Sequence, residues 1–176
     1  MALRPLRLYP DTVLRQPGRT VESFDDALRE LSRDMIETMH AAPGVGLAAH
    51  QVGVPLRLCV VDVSGGQDLT SVRTLVNPEV VRSEGLELGE EGCLSIPGFT
   101  EKLERPARVW VRARDLEGVD VEIEGEGLLA RALVHELDHL EGILFVDRLR
   151  GLRRERAKRF LRRMPALQPA LRDDPR

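Results

Sequence analysis

Residues 128–142 read Leu-Leu-Ala-Arg-Ala-Leu-Val-His-Glu-Leu-Asp-His-Leu-Glu-Gly. The stretch predicts a helix over Leu128–Glu141, closed by Gly142 at its C-terminal end. Within it His135 and His139 stand four residues apart. They project from one face, one turn above the other, so both imidazoles reach a single cation. Glu136 lies about 100° around the helix from His135 and about 60° from His139. That is too oblique for a third ligand, but well placed to handle protons on a nearby water. The plain alternative is a helix that happens to turn two histidines to its core. With only four histidines in the chain and a Glu in that slot, the alternative is the weaker reading.

Working outward, Val109–Arg114 and Val119–Glu124 alternate with period two and are joined by Asp115–Gly118, a hairpin. Leu56–Val63 and Val72–Val76 read as strands, the second ending at an Asn77-Pro78 turn, and a further strand pair is expected around 83–85. Near the start, Phe24, Ala27, Leu28, Leu31, Met35 and Met39 form one apolar helix face. Ser23 and Asp26 suggest a capping box for it, and Pro43-Gly44 a stop. Beyond the histidines a basic helix is expected over Leu152–Arg163, then a fraying Pro-rich tail. Helices at both ends with strands between them predict an α+β fold. No repeat or linker interrupts it. Residues 1–150 are expected to form the main domain, with 151–176 peripheral to it.

A chain of 176 residues, 42% hydrophobic and 31% charged, fits one soluble globular domain. Two cysteines give no disulfide framework, and no secretory signal is visible, so the cytoplasm is the expected compartment. Nothing demands more than a monomer. The net charge of −3 conceals an asymmetry: Arg148–Arg163 carries nine Lys or Arg against one acid, a balance of +8 that leaves −11 for the rest. Such a run is either a solvated helix face or an address for a polyanion.

A catalytic divalent site takes three protein ligands and keeps one position open. Phe145 stands where a metzincin would place its third His, and Glu155 is an awkward downstream candidate. Cys93, in Glu90-Glu91-Gly92-Cys93-Leu94-Ser95, is the better one. Cys59, inside the apolar run LCVVDV, reads as a small core residue. A third segment, Gly44-Val45-Gly46-Leu47-Ala48-Ala49-His50-Gln51, superficially matches a dinucleotide fingerprint. It follows a helix instead of a strand, so that reading fails. It reads instead as a flexible backbone stretch passing close to another group and carrying Gln51 as an amide donor.

Together GVGLAAHQ, EGCLS and HELDH, in this order and spacing, resemble the peptide deformylase family. The likeness extends through most of residues 5–150, with Val134 departing from the Gln that many members carry. The resemblance implies antiparallel sheets packed around a central metal-binding helix. It also implies hydrolysis of the formyl group from N-terminal formyl-methionine of new polypeptides, releasing formate. Cys93, His135 and His139 would hold the divalent ion, Fe²⁺ in the native enzyme with Zn²⁺ or Ni²⁺ as substitutes. Glu136 would move the proton, while Gln51 and the Leu94 N–H would face the oxyanion. Asp138 would pair with Arg105, from the loop after the Cys motif, as a brace. Val45, Leu128 and Ala132 are the expected methionine pocket, with Gly46 and Glu91 offering backbone contacts to the peptide.

Two other readings stand beside this one. A zincin-type endopeptidase would keep its metal without Cys93, and an RNA-binding protein would not need Glu136. For the basic helix, the resemblance points to ribosomal RNA. Since no candidate catalytic residue lies beyond His139, removing 151–176 is expected to leave turnover of a formyl-Met dipeptide almost unchanged.

Overall fold

Asp25, in extended conformation, accepts a hydrogen bond from the Leu28 N–H at 3.0 Å and starts the first helix, α1 (Asp26–Ala41). The cap is thus Asp25 and not Ser23, because the carboxylate three residues before Leu28 reaches the free N–H. The computed structural model describes residues 2–68 and 70–172, with side chains as far as Met164. After α1 come β1 (Gly46–Ala48), β2 (Leu58–Val61), β3 (Arg73–Glu84), β4 (Glu87–Gly92), β5 (Thr100–Arg105), β6 (Arg108–Arg114) and β7 (Asp120–Glu126). The helices α2 (Gly127–Leu140), α3 (Phe145–Arg148) and α4 (Gly151–Arg172) complete the α+β chain.

One antiparallel sheet has the order β1-β2-β3-β6-β7; β4 and β5 pair separately. The apolar run in β2 is explained by burial on both faces. Leu58 and Val60 join Leu28, Leu31, Met35 and Met39 of α1. Cys59 and Val61 pack with Ala130, Ala132, Leu133 and Leu140 of α2 on the other side. Period-two alternation therefore divides the strand between two helices. The β6–β7 hairpin forms as expected, with Gly118 at φ +81 in its turn.

Several further expectations change. The GVGLAA segment is not flexible: Gly46–Ala48 is a strand paired with β2, followed by a 3₁₀ turn over Ala49–Val52. Asn77-Pro78 does not end a strand but sits in a bulge within β3. Asn77 adopts φ +51, a conformation Asn tolerates, and its side-chain amide bonds both the N–H and the carbonyl of Val21 at 2.9 Å. The missing N–H of Pro78 is harmless at such an irregularity. The strands flanking 83–85 exist, but they belong to different sheets.

Arg105 closes strand β5 instead of lying in a loop. At the other end, α4 continues past Arg163 and through Pro165 to Arg172. Of the tail expected to fray, residues 173–176 lie outside the described ones.

Candidate metal centre

The helix that carries both histidines, α2, is set by what bounds it. Gly142, at φ +71, donates its N–H to the His139 carbonyl, and Ile143 donates to that of Asp138. A Cβ at Gly142 would lie 2.7 Å from the Arg15 carbonyl carbon, so only glycine fits this end of α2. The inward face then carries His135 and His139, both buried, with ring centroids 5.0 Å apart. Cys93, just past the end of β4, brings its Sγ to 3.2 Å from His139 Nε2. One ligand atom from each of Cys93, His135 and His139 lies within 4.8 Å of the others. A thiol and two imidazoles in that space match the donor set of a divalent transition metal.

Glu136 is buried beside this group. A Cβ on Gly46 would come 2.9 Å from its Cγ and Cδ, so the strand approaches the carboxylate as closely as a glycine allows. The Oε2 of Glu136 has no hydrogen-bond partner among the described residues, an orphan that suits a group meant to bond water. Gln51 is fixed by its own backbone neighbour: the Ala48 N–H donates to its Oε1 at 2.8 Å. That leaves its Nε2 to donate to Ser95 Oγ at 3.2 Å and toward Cys93 Sγ at 3.5 Å. The Leu94 side chain packs against Gly44, whose added Cβ would stand 2.8 Å from Leu94 Cδ1.

A buried ion network ties these pieces together. Arg105 bonds Asp138 at 2.7 Å and Glu91 at 2.6 and 2.9 Å. Arg131 bonds Glu91 at 3.2 Å, and Glu91 accepts from His135 Nδ1 at 2.7 Å, leaving Nε2 for the ligand cluster. Arg148 meets the other side of Asp138 at 2.6 and 3.2 Å. The Asp138–Arg105 pair was expected. The side-chain role of Glu91 was not, nor were Arg131 and Arg148. Arg131 carried a signal, since it precedes His135 by four residues and shares its face. Arg148 has none: α3 has to fold back on α2 before it meets Asp138.

Burial pushes the Glu91 carboxyl up, but Arg105 and His135 outweigh it and hold the group down to about 2. Burial raises Glu136 to about 7, against the pull of His135. Burial also works to lower His135, yet its bonds to Cys93 and Glu91 and the charge of Glu136 push it well above its ordinary value. For His139 burial dominates and drives the value well below normal.

A family profile for polypeptide deformylase matches residues 3–155. The chain belongs to the polypeptide deformylase family. It is 51% identical over 155 residues to the peptide deformylase of Thermodesulfovibrio yellowstonii, covering 88% of this chain and 94% of that one. A crystal structure of a peptide deformylase from Legionella pneumophila superimposes with a TM-score of 0.88 at 47% identity, over 96% of this chain and 98% of the other. The enzyme from Synechococcus elongatus, solved in complex with actinonin, gives 0.81 at 42% identity, over 89% and 85%.

Membership in this metal-dependent family frames the remaining residues. A cleft of about 1270 Å³ opens beside the ligand cluster. Val45, Gly46, Glu91, Leu128 and Ala132 all line it, together with Gln51, Leu94 and Glu136. The Glu91 carboxylate, however, is turned into the ion network. The awkward ligand candidate Glu155 is exposed on α4 and paired with Lys158 at 2.8 Å. The Phe145 ring lies 6.2 Å from that of His135. Val134 lies off the ligand face, on a groove behind α2. Cys59 is fully buried in β2, as a core residue should be.

Proposed function

We propose that Cys93, His135 and His139 hold one divalent cation, and that Glu136, Gln51 and the Leu94 N–H perform deformylation beside it. The reaction is that of the family: hydrolysis of the formyl group from N-terminal formyl-methionine of nascent polypeptides, releasing formate. When bound, the cation supplies Lewis acidity that acidifies water and polarises the formyl carbonyl. Glu136, pushed to about 7 by burial, accepts the water proton near neutral pH and returns it to the departing amine. Gln51 Nε2 and the Leu94 N–H donate to the oxyanion. Arg105 and Asp138 brace the ligand helix against the Cys93 segment. The observation that carries this reading is the packing of Glu136 against Gly46 beside three converged donors. Its test is formate release from a formyl-Met dipeptide by metal-loaded wild type and Glu136→Ala; an inactive wild type overturns it.

Val45, Leu128 and Ala132 receive the methionine side chain in this reading. Among the described strands β4 has β5 as its single neighbour, so its second edge offers Glu91 backbone groups to the peptide, opposite Gly46. Fe²⁺ is the proposed native ion, since thiolate with two imidazoles accepts Fe²⁺, Zn²⁺ or Ni²⁺ and availability decides loading. Oxygen-sensitive activity preserved by Ni²⁺ is expected; an aerobically stable, zinc-only enzyme would contradict it.

The outer face of α4 favours a second contact. Arg153, Arg154, Arg156, Lys158, Arg159, Arg162 and Arg163 are all exposed, and a polyanion such as ribosomal RNA would relieve their repulsion. Co-sedimentation with ribosomes at low salt should fall when 151–176 are deleted. No helix among the described residues is long and apolar enough to cross a membrane. A cytoplasmic monomer, with 151–176 a peripheral part of the same domain as 1–150, accords with this reading.

A further inference from the structure

The apolar side of α4 touches the wall of the cleft. Ala157 and Met164 are buried with Ile96, Leu103, Phe145 and Leu149, and Phe160 and Leu161 pack at the edge of that cluster. Leu152, at the start of the helix, is by contrast 84% exposed. The Phe160 ring stacks on Phe99, with centroids 5.0 Å apart and planes at 29°. Phe99 also lies 6.2 Å from Phe145, which stands against His135.

Pro97, Gly98, Phe99 and Thr100 all line the cleft. Between Cys93 and β5 this segment makes a tight turn, with Gly98 at φ +78, and the β4–β5 ladder takes hold only at the Gly92–Thr100 pair. Backbone bonds hold its first part, from the Tyr9 N–H to the Ser95 carbonyl and from the Ile96 N–H to that of Cys93, both at 2.9 Å, and side chains add to the hold on 97–100. The next residue, Glu101, is buried, and α4 reaches it too: Arg156 Nη1 lies 3.1 Å and Arg153 Nε 4.0 Å from its carboxylate. A ring stack and an ion pair, both from α4, hold residues 99–101 in place.

We infer that Phe160 is a positioning residue for deformylation: through Phe99 it fixes the cleft wall at 97–100 and so sets affinity for the peptide. The inference rests on the deformylase reading. It replaces the expectation that α4 is dispensable for a dipeptide substrate, because truncation at 150 removes this support even though no reacting group is lost. A solvated helix would carry no such dependence.

The test uses the full-length, metal-loaded chain as wild type, Phe160→Ala and Phe160→Tyr. Formyl-Met dipeptide kinetics are measured together with hydrogen exchange at residues 96–101, with α2 amides as internal reference. Phe160→Ala should raise KM by about 3–10-fold, the scale of one lost aromatic pair, with kcat within about twofold. Exchange at 96–101 should quicken while α2 is unchanged, and Phe160→Tyr should restore both. Unchanged KM and unchanged exchange in Phe160→Ala would overturn the inference. So would faster exchange in α2 or loss of metal, which would make Phe160 a residue of the fold at large. A wild type that releases no formate would instead remove the deformylase reading, and exchange at 96–101 would still decide whether α4 holds the wall.

Discussion

Both α2 and α4 are rich in charge, and they dispose of it in opposite ways. In α2, Arg131, Glu136 and Asp138 are buried with His135 and His139. In α4, every Arg and Lys from Arg153 to Arg163 is exposed, while Ala157 and Met164 make the buried contact. A buried charge is costly unless a partner is supplied, so each one in α2 signals a built arrangement. An exposed charge costs almost nothing, so the seven in α4 say little about what that helix holds. Its structural work falls to a few of its residues, the apolar contacts together with Arg156 and Arg153 at the buried Glu101.

The largest expected effect lies on α2. Glu136→Ala should lower kcat for formate release by about 10²–10⁴-fold, the range for a lost general acid–base, with metal content retained. Full activity in that variant would break the contrast at its centre, leaving Glu136 as one more buried carboxylate. Removal of the hub is next. Glu91→Ala takes from Arg131 its carboxylate partner and leaves Arg105 with Asp138 alone, and should cost about 3–5 kcal/mol in chemical denaturation. A smaller loss is expected at the brace: Asp138→Asn should weaken metal retention about 10–100-fold, read by metal analysis after dialysis. Unchanged metal content and activity would reduce Asp138 to a packing residue.

A pH test extends the contrast to carboxylates outside the centre. Burial pushes Asp62 up, but hydrogen bonds from Ser64, Ser71 and His40 prevail and hold it far below the usual carboxylate range. A depressed pKa stabilises the fold above about pH 4, the unfolded value, and that contribution is lost as pH falls below it. Asp62→Asn should therefore flatten the acid side of the stability curve. Glu155→Gln on exposed α4 should leave it in place. The smallest effect belongs to the outer face of α4, where Arg154→Ala should change stability by no more than about 0.5 kcal/mol.

The sequence alone determined the chemistry of the centre. His135 and His139 share a face because the helix repeat is 3.6 residues, and Glu136 flanks them for the same reason; both follow from local geometry. The motif around Cys93 and the glycines before Gln51 were legible through their joint resemblance to the deformylase motifs, since the glycines alone read as a loop. The apolar run of β2 marked it as a strand with Cys59 in the core, but that its two faces pack on different helices came from the structure. What only the tertiary structure decided are the contacts between segments far apart in the chain. Glu91 meets His135 across 44 residues and Arg148 meets Asp138 through a fold-back of α3, and neither pairing has a local signature. The bulge at Asn77 depends on Val21, 56 residues away, so the dipeptide alone reads as a turn. The stack of Phe160 on Phe99 belongs to the same class. A basic helix looks solvated until its register against the cleft wall is known, and that register is set by packing between elements, which no local pattern encodes.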